Sequence, residues 1–141
     1  MFSQNYTQKI HVTANPPTSF KAVTENVGDW WGDVEGKLTK LDDEFTVSFD
    51  ETYWTFRATE FSPNTTLVWE CVKAHHVHGD LSGIEKEWEG TRVIWNFTET
   101  NNGTEIQMTH EGLQPALVCY DVCKEGWDHF FLKSLKEYLD E

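Results

Sequence analysis

The sequence predicts an α+β fold in which a curved antiparallel sheet wraps around one long C-terminal helix, with two short helices near the N-terminus. Two observations carry this prediction. Between residues 36 and 111, apolar and polar residues repeatedly alternate with a period of two, which is typical of strands with one buried face. From residue 119 onward, the apolar residues instead follow helical spacing. Because a meander of strands cannot cover its own inner face, we expect the helix to lie across it.

The N-terminal part is expected to form one strand and two short helices. Apolar and polar residues alternate over residues 6–13, which indicates a half-buried strand. Asn15-Pro16-Pro17 ends this strand and begins a helix that reaches about Glu25, because proline suits the first helical turn. Gly28 breaks the helix, and a second short helical turn is expected over residues 29–32.

Six further strands are expected to complete the sheet. They are placed over residues 36–40, 45–50, 53–59, 67–72, 87–98 and 104–111. The links are short except for a polar loop over residues 73–86. The last two strands are joined at Asn101-Asn102-Gly103, a strong hairpin signal because Asn and Gly tolerate positive φ angles.

The C-terminal helix is expected to present an apolar stripe about five turns long. The stripe comprises Cys119, Cys123, Trp127, Phe130, Phe131, Ser134, Leu135 and Tyr138. The sequence contains no internal repeat, no low-complexity segment and no linker. We therefore expect one domain over residues 1–141, which is within the usual size range of a single domain.

The charge balance excludes some classes of partner. Eleven basic and 24 acidic residues give a formal net charge of −13, which repels nucleic acid and anionic lipid. No run of apolar residues is long enough to span a membrane, and residues 1–10 show no signal-peptide pattern. Three cysteines without a secretion signal are typical of reduced thiols, so we expect a cytoplasmic protein. We also expect it to form a monomer or a weak dimer.

Aromatic residues are abundant, with seven tryptophans, nine phenylalanines and four tyrosines. Large rings either pack into a solid core or line a cavity for a small molecule. Strand alternation and the helix stripe predict which side chains point inward. The candidates for a ligand-binding cavity are Trp30, Trp31, Trp54, Phe56, Trp69, Trp95, Met108, His110, Tyr120, Trp127 and Phe131.

His110 is the main candidate polar group inside the molecule. It shares the inward face of its strand with Ile106 and Met108, and a buried neutral imidazole needs partners for both nitrogens. One interpretation is a structural histidine bonded to a tyrosine or a backbone carbonyl, and another is a polar anchor for a ligand at the cavity floor. A general acid or base lacks a visible nucleophile, so no catalytic residue is predicted.

No metal site and no cofactor are predicted. Cys119 and Cys123 lie four residues apart on one helix face, but no second cysteine pair accompanies them. We therefore interpret them as buried free thiols. The histidine-rich tract of residues 75–78 lies in a long polar loop, which does not supply the fixed geometry that a metal site needs.

Several short motifs occur in a characteristic order along nearly the whole chain. They are Gly28-Asp29-Trp30-Trp31, Leu67-Val68-Trp69-Glu70 after Pro63, Glu87-Trp88-Glu89-Gly90-Thr91, Gly103-Thr104-Glu105, Thr109-His110-Glu111-Gly112-Leu113, Cys119-Tyr120-Asp121-Val122-Cys123, Gly126-Trp127 and Ser134-Leu135. In these motifs the chain resembles the START-like (SRPBCC) superfamily of the helix-grip, birch-allergen-like fold. Within it, the chain is most similar to bacterial homologues of the C-terminal domain of the activator of the 90-kDa heat shock protein ATPase.

The resemblance implies a hydrophobic cavity between the sheet and the long helix, and it suggests three functions. The first is non-enzymatic binding of a small hydrophobic ligand, such as a lipid. The second is a co-chaperone-like module that stimulates the ATPase of a 90-kDa heat shock protein in a stress response. The third is a polyketide cyclase or aromatase. The chain itself lacks a Gly-rich phosphate loop, so we do not expect it to hydrolyse ATP.

Overall fold

The computed structural model describes residues 5–140. Its elements in chain order are β1 (Tyr6–Val12), α1 (Pro16–Ala22), a 3-10 turn (Val27–Asp29), β2 (Asp33–Gly36), β3 (Glu44–Phe49), β4 (Thr52–Ser62), β5 (Thr66–His75), β6 (Arg92–Thr100), β7 (Gly103–Glu111), α2 (Tyr120–His129), a π-helical segment (Phe130–Leu135) and α3 (Lys136–Leu139). The seven strands form one antiparallel sheet in the order β1-β7-β6-β5-β4-β3-β2. The sheet curves around the C-terminal helix, as the sequence predicts.

Strand alternation selects the inner face of the sheet. In β6 and β7, Val93 pairs with His110, Trp95 with Met108 and Phe97 with Ile106, and all six side chains are buried. Residues of the opposite phase in these strands, such as Asn96 and Gln107, are exposed. The period of two in the sequence therefore reflects a sheet with one face against the core.

The N-terminal elements are shorter or displaced relative to the sequence prediction. Helix α1 ends at Ala22, and the Thr24 hydroxyl donates to the carbonyl of Phe20, 3.0 Å away. The expected turn over 29–32 is a 3-10 turn at Val27–Asp29, directly before the two tryptophans. The brief strand expected over 36–40 lies instead at Asp33–Gly36, because Gly36 takes a positive φ of 90° and ends the pairing.

The strand expected over residues 87–98 begins only at Arg92. Residues 87–90 form turns, and Gly90 has a φ of 86° that breaks the extended backbone. The Thr91 hydroxyl donates to the Trp88 carbonyl at 2.6 Å and closes the turn. A continuous strand would place Trp88 on the outer face, opposite in phase to Val93, whereas the turn directs its ring into the core.

The C-terminal helix runs continuously over residues 120–139 and changes its winding in the middle. Its buried apolar residues recur at every fourth position: Cys123, Trp127, Phe131, Leu135 and Leu139. In an α-helix each step of four residues rotates by about 40° past a full turn, so such a stripe would drift off the sheet. The π-helical segment has wider turns, which offset this drift. Within residues 5–140, no helix is both long and apolar enough to cross a membrane.

Candidate functional site

The candidate site is an open cavity of about 470 Å³ at one end of the helix–sheet interface. It lies between strands β3 and β4, the segment that follows β5, the turn before β6, and helix α2. The lining residues are Trp31, Phe49, Asp50, Thr52, Trp54, His76, Val77, His78, Trp88, Val122, Cys123, Glu125, Gly126, Trp127 and Phe130. The exposed polar residues of this set include Asp50, His78 and Glu125, and the rings are less exposed. The cavity therefore combines a polar rim with aromatic walls.

Four indoles in the cavity wall contact one another in a closed ring, and we call them the indole quartet: Trp31, Trp54, Trp88 and Trp127. Their ring centroids are 6.1 Å apart for Trp31–Trp54 and 4.4 Å for Trp54–Trp88. The ring closes through Trp88–Trp127 at 6.0 Å and Trp127–Trp31 at 5.0 Å. Three of these pairs are stacked, a packing that favours aromatic rings beyond the area they bury. We refer to the cavity as the indole pocket.

Three of the eleven side chains predicted to line a cavity lie in the wall of the indole pocket: Trp31, Trp54 and Trp127. The structure places the other eight elsewhere in the interior: Trp30, Phe56, Trp69, Trp95, Met108, His110, Tyr120 and Phe131. This distribution has a physical cause. Toward the other end of the sheet the rings interlock, with Trp69 and Trp95 centroids 5.0 Å apart and Trp95 and Phe131 centroids 5.7 Å apart.

The adjacent tryptophans Trp30 and Trp31 have separate roles. The indole N–H of Trp30 donates to the carbonyl of Ala22 at 2.7 Å, and its own carbonyl accepts a hydrogen bond from Ser134 at 2.7 Å. Trp30 thus ties α1 to the C-terminal helix. Trp31 is half-buried and stacks on both Trp54 and Trp69, so it forms part of the pocket wall.

His110 is fully buried and both ring nitrogens have partners. Nδ1 accepts from the indole N–H of Trp127 at 3.0 Å, so Nε2 carries the proton and donates to the Thr91 hydroxyl at 2.9 Å. Burial lowers the pKa of His110 to about 3, which keeps the ring neutral. The structural interpretation is thereby supported, but the partners are a tryptophan and a threonine, not the expected tyrosine or backbone carbonyl.

Sequence reasoning missed Trp88 and His76 as pocket residues. A strand over residues 87–98 would place Trp88 on the outer face, and only the turn-forming glycine in the Glu87-Trp88-Glu89-Gly90 motif could have indicated otherwise. His76 belongs to the segment predicted as a long polar loop, yet it follows β5 directly and is buried. Val77, which follows His76, is held in place by Thr52. The Thr52 hydroxyl donates to the Val77 carbonyl and accepts from the Val77 backbone N–H, each at 2.9 Å.

Two buried polar atoms in pocket-lining residues lack a hydrogen-bond partner among the described residues: Trp54 Nε1 and His76 Nδ1. A buried polar group of this kind costs about 1–3 kcal/mol when it leaves water without a new partner. Native proteins keep few such groups, and a bound water or ion is one explanation for those they keep. The indole pocket therefore has aromatic walls and two unused polar atoms.

The thiols of Cys119 and Cys123 lie beside the pocket as an interacting pair. The Cys123 thiol donates to the Cys119 sulfur at 2.7 Å, and the indole N–H of Trp88 donates to the Cys123 sulfur at 3.2 Å. The hydrogen bond from Cys123 lowers the pKa of Cys119, while that of Cys123 is raised by the same bond and by burial. The third thiol, Cys71, is on β5, where burial raises its pKa to about 12.

Comparison with solved structures supports the fold. The Aha1 dimer from Colwellia psychrerythraea matches with a TM-score of 0.76 and 24% identity, over 97% of this chain and 96% of that one. A protein from Mesorhizobium loti matches with a TM-score of 0.77 and 20% identity, over 97% of both chains. DynU16, a protein from the dynemicin biosynthetic locus, matches with a TM-score of 0.72 and 18% identity, over 96% of this chain and 46% of that one.

Comparison of sequences identifies the family. No curated protein sequence gives a significant match to the chain. The model of the family described as Activator of Hsp90 ATPase homolog 1-like protein matches residues 13–140, which include α1, all strands but β1 and the whole C-terminal helix. The chain therefore belongs to the Activator of Hsp90 ATPase homolog 1-like family.

Proposed function

We propose that the protein binds a small, largely apolar molecule in the indole pocket and does not transform it. The observation that carries this proposal is a cavity of about 470 Å³ whose walls include four indoles and two phenyl rings. Binding pockets for small molecules are typically about 300–1,000 Å³ in volume and lined mainly by aromatic and apolar side chains. Removing an apolar molecule from water into such walls provides the driving force for binding.

The polar atoms of the pocket suggest one feature of the ligand. Trp54 Nε1 is buried in a lining residue and unpartnered within residues 5–140. An indole N–H can only donate a hydrogen bond, so the matching ligand carries an acceptor oxygen such as a carbonyl or hydroxyl. The exposed carboxylates of Asp50 and Glu125 at the rim disfavour an anionic ligand.

Gly126 offers a way to fill the pocket without disturbing the core. It lies in α2 and lines the pocket, and a Cβ built there meets no described atom within 4 Å. A Gly126→Leu side chain would occupy ligand space, whereas Gly126→Ala adds one methyl group. Both substitutions improve helix propensity, so loss of folding is not expected in either variant.

The experiment is a titration of the protein with neutral lipids and aromatic compounds, followed by tryptophan fluorescence, with native mass spectrometry for stoichiometry. We expect saturable quenching at one ligand per chain, retained in Gly126→Ala and weakened at least about tenfold in Gly126→Leu, in line with a lost apolar cavity. Absence of any saturable compound, or equal binding by the wild type and Gly126→Leu, would contradict the proposal.

A second candidate function is a co-chaperone-like module that stimulates the ATPase of a 90-kDa heat shock protein. Family membership favours it, and the formal net charge of −13 suits a basic surface on the partner. A pull-down and an ATPase assay with the chaperone from the same organism test it. Equal stimulation by the wild type and Gly126→Leu would support this function independently of the pocket, and no stimulation would contradict it.

The structure gives little support to a cyclase-type activity. That hypothesis depends on His110 as a polar group inside the ligand cavity. His110 instead lies in the interior beside Trp127, with each nitrogen engaged by a protein group. We therefore do not propose His110 as an acid or a base.

A further inference from the structure

Three soft ligand atoms converge at the side of the indole pocket. One ring nitrogen of His76 and the sulfur atoms of Cys119 and Cys123 lie within 4.8 Å of one another. All three residues are buried, and the exposed fraction of His76 is 6%. The histidine directly follows β5 and the cysteines lie at the start of α2, so the fold brings together groups that are 43 to 47 residues apart along the chain.

The imidazole of His76 has capacity for a further bond. Its Nδ1 atom is buried and without a hydrogen-bond partner in the described part of the chain. The other fully enclosed histidine, His110, has a protein partner at each nitrogen. A buried ring nitrogen that makes no hydrogen bond loses its bond to water without compensation, and coordination to a cation would provide one.

Hydrogen bonds fix all three residues in place. The Glu87 carboxylate accepts from the backbone N–H groups of Val118 and Cys119, each at 3.0 Å, and so anchors the start of α2. The backbone N–H of His76 donates to the carbonyl of Glu85 at 3.0 Å. These bonds hold the backbone on both sides of the cluster, so the three side chains extend from fixed positions.

The geometry suits a tetrahedral cation after a small adjustment. Zinc–sulfur bonds are about 2.3 Å, so two sulfurs on one tetrahedral ion are about 3.8 Å apart. The sulfur atoms of Cys119 and Cys123 are 2.7 Å apart. Rotation of the two side chains can increase this distance to the separation of about 3.8 Å that a shared ion requires. His76 and Cys123 both line the pocket, so the remaining coordination position would face the cavity.

We propose that His76, Cys119 and Cys123 form a binding site for a thiophilic d10 cation, Zn²⁺ being the representative ion, with an open fourth position toward the indole pocket. Two thiolates and one imidazole are ligands that this class of ion prefers over Mg²⁺ or Ca²⁺. Three protein ligands with an open position is the arrangement of zinc sites that accept an exogenous ligand. From the sequence alone, the cysteine pair and the histidine tract are considered separately, because they lie on different elements.

The test is a Co²⁺ titration of the reduced protein under anaerobic conditions, followed by displacement with Zn²⁺. Bound Co²⁺ has a charge-transfer absorption band only when a thiolate sulfur coordinates it. This band therefore shows whether the cysteines are ligands. We expect this absorption to saturate at one ion per chain and to disappear on addition of Zn²⁺. We expect it to be lost in Cys119→Ser and Cys123→Ser, and the affinity to fall at least about tenfold in His76→Gln.

Two matched controls separate the site from its surroundings. Cys71→Ser removes the remaining buried thiol, and His75→Gln removes the exposed histidine next to His76, which does not line the pocket. Both variants should bind Co²⁺ as the wild type does. No charge-transfer absorption in the folded wild type, or unchanged affinity in His76→Gln, would overturn the proposal.

A second measurement covers the case in which a cysteine variant does not fold. X-ray absorption of the Zn²⁺-loaded wild type counts the sulfur neighbours of the ion. Two sulfurs and at least one nitrogen are expected. A shell of nitrogen and oxygen alone would contradict the site, whatever the behaviour of the variants.

Discussion

The interior contains two regions around a buried histidine, and they differ in how completely their polar atoms are paired. Around His110, the indole of Trp127 and the hydroxyl of Thr91 occupy both ring nitrogens. Around His76, Nδ1 has no partner among the described atoms, and neither has the nearby indole nitrogen of Trp54, whose ring centroid is 5.1 Å from that of His76. Both histidines are inward-facing residues next to tryptophans.

The difference indicates which histidine is structural and which belongs to a site, because the unpaired atoms of His76 and Trp54 lie in pocket-lining residues, unlike the unpaired Trp95 Nε1. Complete pairing at His110 stabilises the fold, since each buried atom recovers the hydrogen bond it lost with water. Incomplete pairing at His76 costs stability, and it is found where the interior opens into a pocket. We therefore expect substitutions at His110 to affect folding and those at His76 to affect binding.

The largest effect is expected from His110→Ala. The substitution leaves Trp127 Nε1 and the Thr91 hydroxyl without their ring partner and creates a cavity in a fully buried position. The free energy of unfolding should fall by about 3–5 kcal/mol, as measured by urea denaturation. A loss below about 1 kcal/mol would mean that the two regions are energetically alike.

The second-largest effect is expected in the pH dependence of the free energy of unfolding, to which the buried His110 contributes. The pKa of His110 is lowered from 6.5 to about 3, so between these values the unfolded chain takes up a proton that the folded chain does not. The stability that this group contributes is complete above pH 6.5 and is lost as the pH falls, by at most about 1.4 kcal/mol per pH unit.

Urea denaturation from pH 7 to pH 4 tests this assignment. The free energy of unfolding of His110→Gln should change less steeply with pH than that of the wild type. The Met108→Leu variant controls for destabilisation alone, and an equal slope in all three proteins would contradict the assignment.

Removing the Thr91 hydroxyl should leave one ring nitrogen of His110 without a hydrogen-bond partner, as at His76. Thr91→Val deletes the hydroxyl that accepts from His110 Nε2 and donates to the Trp88 carbonyl. The free energy of unfolding should decrease by about 1–3 kcal/mol. Thr91→Ser keeps the hydroxyl and should recover most of this loss, whereas full stability in Thr91→Val would show that the hydroxyl is not needed as a partner of His110.

The smallest effect on stability is expected at His76 itself. His76→Gln removes a ring whose Nδ1 makes no hydrogen bond within residues 5–140, so the free energy of unfolding should change by less than about 1 kcal/mol. Thermal or urea denaturation of the metal-free protein measures this. A loss as large as that of His110→Ala would show that the pocket histidine is part of the structural core.

Much of the fold could be predicted because its signals are local. The alternation of Val93, Trp95 and Phe97 selects one face of β6, and the hairpin at residues 101–103 sets the pairing of β6 with β7. The boundaries that were misplaced, at residues 36–40 and 87–91, depend on glycines with positive φ angles, which a periodic pattern does not reveal.

The site was less predictable because it depends on distances between elements. Trp54 and Trp127 were identified as inward, but nothing local distinguishes them from Trp69 or Trp95, which pack in the closed part of the interior. Trp88 reaches the pocket only through the turn that precedes β6. His76 lies close to the two cysteines because the residue after β5 faces the start of α2. The spacing of these residues in the sequence does not reveal this proximity.

The wide turns of the C-terminal helix have a consequence for how the family can vary in length. The upstream half of this helix contributes to the pocket through Cys123 and Trp127, and the downstream half contributes Leu135 and Leu139 to the hydrophobic core. A π-helical turn holds about one residue more than an α-helical turn, so deleting one residue within Phe130–Leu135 would let the segment rewind as an α-helix with these leucines still facing the sheet. We expect homologous chains to differ by one residue here more readily than elsewhere in the helix.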